Sequence, residues 1–134
     1  MFMNKSFVAI LLIALSFYHC TNQLNNSTNM DINGVWEDSN SSAFQNTVLV
    51  LSEQDGKVNV AHYLEWKGKK FVESGTGTRE GNSIVYTAKV TLPIEGWAKE
   101  GTHTLTLSED GKTLRGVYSD NNNKNGPIVF KKIR

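Results

Sequence analysis

From Ile32 onward, apolar and polar residues alternate with a period of two, the pattern of strands that bury one face. Breaks at turn residues predict eight strands: Gly34–Asp38, Thr47–Ser52, Lys57–Trp66, Lys70–Thr78, Ser83–Leu92, Thr102–Ser108, Thr113–Ser119 and Ile128–Ile133. The breaks are Gln54-Asp55-Gly56-Lys57, Lys67-Gly68-Lys69, Glu80-Gly81-Asn82 and Glu109-Asp110-Gly111-Lys112. Asp-Gly and Gly-Asn pairs supply the positive φ angles that tight hairpins demand. Pro93 and Pro127 both fall outside the predicted strand interiors, as residues without an N–H should. Short strands at this spacing, with no stretch of helical period, predict an all-β fold: an antiparallel up-and-down meander closing into a small barrel.

One hairpin is echoed. Leu49-Val50-Leu51-Ser52-Glu53-Gln54-Asp55-Gly56-Lys57 resembles Leu105-Thr106-Leu107-Ser108-Glu109-Asp110-Gly111-Lys112. A half-barrel repeat and convergent turn chemistry both account for it.

Alternation also assigns faces. Val58, Val60, His62, Leu64 and Trp66 share one side of their strand, as do Ile84, Tyr86, Ala88 and Val90 in another. His103, Leu105 and Leu107, then Leu114, Gly116 and Tyr118, and finally Ile128 and Phe130, continue that apolar face. Val48-Leu49-Val50-Leu51 is apolar on both sides, which predicts cover over its outer face from a neighbour or from the N-terminal segment.

Residues 1–19 break the pattern. Lys5 precedes an apolar run from Phe7 to Phe17, the layout of a secretory signal and too short for a membrane span. Cys20 follows at once, where a bacterial lipoprotein signal carries its lipid-accepting cysteine, and this resemblance implies a lipid anchor. Cleavage after Ala14-Leu15-Ser16, leaving Cys20 as a free thiol, is the alternative. Residues 20–31, polar and rich in Asn, read as a flexible tether. Residues 32–134 make the barrel domain. Each buried acyl methylene would contribute roughly 0.8 kcal/mol to membrane attachment. The implied location is a cell envelope, most simply an outer membrane, with a periplasmic or secreted protein as the alternative.

Composition removes function classes. The 134 residues carry 14 Lys and Arg against 13 Asp and Glu. Losing residues 1–19 removes Lys5 and no acid, leaving 13 of each. A neutral domain is a poor binder of nucleic acid. A single Cys excludes internal disulfides and CxxC zinc or redox sites.

Gly34-Val35-Trp36 on the first strand, the meander and the closing Gly126-Pro127-Ile128-Val129-Phe130-Lys131-Lys132 resemble calycin-type barrels, lipocalin-like or avidin-like. The resemblance implies that Trp36 packs across a closed barrel end beneath Lys131, Lys132 or Arg134. It also implies a habit of binding small ligands inside, with no particular ligand indicated.

No catalytic constellation stands out: no Gly-x-Ser-x-Gly elbow is present, and no cofactor or metal set is evident. His62 and His103 either are hydrogen-bonded core residues or pair in one pocket as acid and base. Glu73, on the face of Phe71, is expected at the barrel mouth in water. Trp97, in the longest aromatic loop, is either a ligand anchor or a plug. Gly75-Thr76-Gly77 marks a sharp bend in a strand, and Asp120–Gly126 a solvated turn. The leading expectation is a non-catalytic barrel holding a small hydrophobic or amphipathic ligand. Its lining would be Trp36, His62, Trp66, Tyr86, His103 and Tyr118, with Trp97 at the mouth. A filled barrel acting through its surface, as an interaction or inhibitor-like module, is the alternative. A small hydrolase or isomerase is a third.

Overall fold

The computed structural model describes residues 30–39 and 45–134. Cys20, the signal segment and most of the tether lie outside the described residues. Eight strands run in chain order: β1 (Gly34–Asp38), β2 (Gln45–Gln54), β3 (Lys57–Trp66), β4 (Lys69–Glu80), β5 (Ser83–Val90), β6 (Glu100–Leu107), β7 (Thr113–Asp120) and β8 (Asn125–Lys132). Each pairs antiparallel with the next, and β1 pairs with β8 to close the barrel. Among the described residues there is no helix. The β2–β3 and β3–β4 turns place Asp55 and Gly56, then Lys67 and Gly68, at positive φ, the backbone of a type I′ hairpin.

The inward faces follow the alternation. Val58, Val60, His62 and Leu64 are buried on β3, Ile84, Tyr86 and Ala88 on β5, and His103, Leu105 and Leu107 on β6. Gly75 and Gly77 occupy inward positions on β4, where an added Cβ would collide with the backbone of Thr87 and Val85. The absent side chains let β4 and β5 approach at a curved corner. Gly116 does the same for β7 against Thr104 of β6.

One end is closed by Trp36, fully buried on β1 with its Nε1–H donating to Ile32 O at 3.0 Å. Lys132 Nζ lies 5.6 Å from the Trp36 ring and donates to Asp31 O at 2.8 Å. Of the three basic residues offered by the sequence, Lys132 is thus the one over Trp36. Met30 lies over Gly111. Beneath this cap, Leu49, Leu51, Val58, Ile84, Leu105, Leu114 and Phe130 form a dry aliphatic and aromatic core.

Several expectations need correction. β8 begins at Asn125, so Pro127 lies inside a strand, opposite Val117. The β1–β8 register runs from Trp36 and Lys132 to Asp38 and Phe130, and Ser39 N donates to Val129 O beyond it. β2 begins at Gln45 and carries a bulge before Val48, with Asn46 at positive φ. β5 stops at Val90 instead of Leu92, and β6 starts earlier, at Glu100. Val50, on the outer face of β2, is 43% exposed, and most of the N-terminal segment offered as its cover lies outside the described residues. The echoed hairpins differ in their turns. Two residues suffice after β2, whereas Ser108–Lys112 form a longer loop in which the Asp110 carboxylate accepts from Ser108 Oγ and Lys112 N.

Candidate functional site

Register assembles the site. Residues directly opposite in an antiparallel pair share a face, and the ladders set His62 beside Glu73 and place Tyr86, His103 and Tyr118 in one row. These rows lie at the end away from Trp36. There a cavity of about 230 Å³ opens between the β3–β4, β5–β6 and β7–β8 connections. Of the residues singled out by the sequence, His62, Trp66, Trp97, His103 and Tyr118 line it. Trp36 and Tyr86 do not: Trp36 caps the opposite end, and Tyr86 is buried behind His103, stacked on its ring at 4.6 Å and 15°.

Glu73 corrects the sequence reading. It is 9% exposed, inside the barrel instead of in water at its mouth. Trp97 Nε1–H donates to Glu73 Oε1 at 2.7 Å, and His62 Nδ1 lies 3.7 Å from Oε2, an ion-pair separation longer than a hydrogen bond. Trp97 thereby folds back over the barrel end, its ring 5.2 Å from Trp66 and 5.0 Å from Phe71. It roofs the cavity while remaining in its wall.

The two histidines meet the same space, their ring centroids 6.2 Å apart at 80°. Both are buried, yet neither His62 nitrogen has a hydrogen-bond partner, nor does His103 Nδ1. Burial pushes the His103 imidazole down to about 4; the neighbouring His62 adds to the fall and Glu73 opposes it. His103 is therefore neutral near pH 7. Burial likewise raises the Tyr86 phenol well above its ordinary value, helped by the charges of Glu73 and Asp38. The Tyr86 hydroxyl is also without a partner.

Asp38, Glu100, Asp120 and Lys124 complete the polar rim and were missed. Asp38 was accessible by alternation, two residues beyond Trp36 on the same face. Glu100 was hidden by the late predicted start of β6. Lys89 Nζ approaches Glu100 at 3.1 Å, and Asp120 Oδ1 accepts the N–H groups of Asn122 and Lys124, tying its turn.

Among the described residues the lining contains imidazoles and carboxylates, which are acid–base groups, and no Ser, Thr or Cys. No group of three or more His, Cys, Asp or Glu suited to a metal ion occurs among the described residues. No protein-family model, curated protein or solved structure matches this chain.

Proposed function

We propose that this chain is a calycin-like binding barrel that holds a small amphipathic ligand in its open end, without catalysis, on an N-terminal lipid anchor in a cell envelope. The observation that carries the reading is the set of unpartnered ring nitrogens on buried His62 and His103 beside a cavity. A buried polar group left unsatisfied costs about 1–3 kcal/mol. A ligand with matching donors recovers that cost, which makes the apo cavity receptive. The walls add apolar contact through Leu64, Trp66, Trp97 and Ile128, the mixture typical of small-molecule sites. The anchor rests on Cys20 standing directly behind an apolar run.

Native mass spectrometry of the protein purified from membranes tests both halves. A retained mass that dissociates on unfolding, with Cys20→Ser moving the protein to the soluble fraction, is the expected outcome. A bare polypeptide mass counts against the ligand, and an unchanged membrane fraction for Cys20→Ser counts against the anchor.

A further inference from the structure

We propose that the ligand class is a small organic cation, an ammonium held by Glu73 with its hydrocarbon part among Trp66, Trp97 and Tyr118. The inference rests on the ligand-binding reading above and adds the charge and shape of what is bound.

Charge points first. Among the described residues the cavity is lined by four carboxylates, Asp38, Glu73, Glu100 and Asp120, and by one ammonium, Lys124. Three of those acids stand at the rim, where Lys89 and the β7–β8 turn engage Glu100 and Asp120. Glu73 is the one inside. It receives one N–H, from Trp97, and the longer approach of His62, whereas a carboxylate offers about four lone-pair sites. An anion entering here would meet this field unaided except by Lys124.

The imidazoles supply a second, independent indication. Nδ1 of His62 lies 3.7 Å from Glu73 Oε2, and neither of its buried ring nitrogens has a hydrogen-bond partner. His103 is neutral, and a neutral ring always presents one lone pair. Unpartnered imidazole nitrogens beside an incompletely satisfied carboxylate favour a ligand that brings N–H groups.

Aromatic walls complete the match, since a cation over an indole or phenol face is attracted by the ring quadrupole. Trp66 already takes one ammonium, that of Lys67, 4.5 Å from its ring centroid. Size sets the limit: at about 230 Å³ the cavity is small for a ligand pocket, a class that runs from roughly 300 to 1,000 Å³. A single ring bearing a short aminoalkyl arm fits that space.

Benzylamine, benzyl alcohol and benzoate share one ring and differ in charge. Titrated into the unaltered protein at neutral pH, with heat and tryptophan fluorescence as readouts, benzylamine should bind about tenfold or more tighter than benzyl alcohol, and benzoate weakest. Glu73→Gln, which keeps an acceptor for Trp97, should bring benzylamine down to the level of the alcohol while leaving the alcohol within about twofold. If the alcohol or benzoate binds as tightly as the amine, the cation assignment falls and the ligand-binding reading stands. The same holds if Glu73→Gln, folded by circular dichroism, keeps the full preference. If none of the three binds at millimolar concentration, both fall. The ranking on the unaltered protein needs no variant to be informative.

Discussion

The two ends of this barrel are built from the same alternating strands and reach opposite solutions. At the Trp36 end, inward positions hold Leu49, Leu51, Val58, Ile84, Leu105 and Leu114, buried and apolar. The one indole N–H there is satisfied by Ile32 O. At the other end the same strands present His62, Glu73 and His103, and the ring nitrogens stay unpaired beside a cavity. Close packing stabilises the first end, where buried Arg79 donates through Nε to Gly81 O and lies 3.6 Å from Glu53, its Nη atoms without hydrogen bonds. The second gives up part of that stabilisation. Within one eight-stranded barrel, then, a packed apolar core and a polar cavity are separated along the axis.

The largest expected effect breaks this contrast if it is wrong. Trp36→Ala should cost about 3–5 kcal/mol in urea unfolding, from lost burial and a cavity in a core that cannot collapse. Trp66→Ala at the open end, where the ring is only partly buried, should cost less than half as much. Equal losses would mean that the cavity end carries as much of the fold as the cap.

Next comes pH. His103 titrates near 4 in the folded chain against an ordinary 6.5, so the unfolded chain binds its proton first. The contribution is complete above pH 6.5 and is lost as pH falls towards 4, to a total of about 3 kcal/mol at most. Urea midpoints measured across that window should show the decline, and His103→Leu should flatten it. An unchanged slope in that variant would assign the titration elsewhere.

The smallest effect sharpens the comparison at the boundary between the ends. Tyr86→Phe removes a buried hydroxyl without a partner and keeps the stack on His103. Thermal unfolding should change by no more than about 1 kcal/mol, in either direction. A larger loss would show that the hydroxyl is bonded in solution.

Most of the barrel was legible because one physical signal, the period-two burial of β3, β5, β6 and β7, is written residue by residue. The same alternation implied Asp38 and an inward Glu73. Glu73 was nevertheless placed in water, because burying a carboxylate is costly and its partners, His62 and Trp97, come from β3 and from a loop distant in sequence. Tyr86 illustrates the converse: facing inward was readable, but whether an inward ring touches open space depends on the stack with His103 behind the wall. The start of β8 at Asn125 is not readable, because Asn125-Gly126-Pro127 has the composition of a turn. The echo between residues 49–57 and 105–112 carried the strands but not the turns, since the second copy is one residue shorter.

The seam between β1 and β8 has a kinetic consequence. Every other pairing joins strands adjacent in sequence, whereas the seam brings Trp36 to Lys132, 96 positions away, through three residue pairs. Loop closure over that span is entropically the most demanding step, and local hairpins need not wait for it. The meander can therefore assemble as an open, curling sheet and be locked last. Until then the leading stretch of β8 is a bare edge, the kind that recruits strands from other molecules. Pro127 sits on that stretch with no N–H to offer, a guard against misassembly during the interval before the ring is complete.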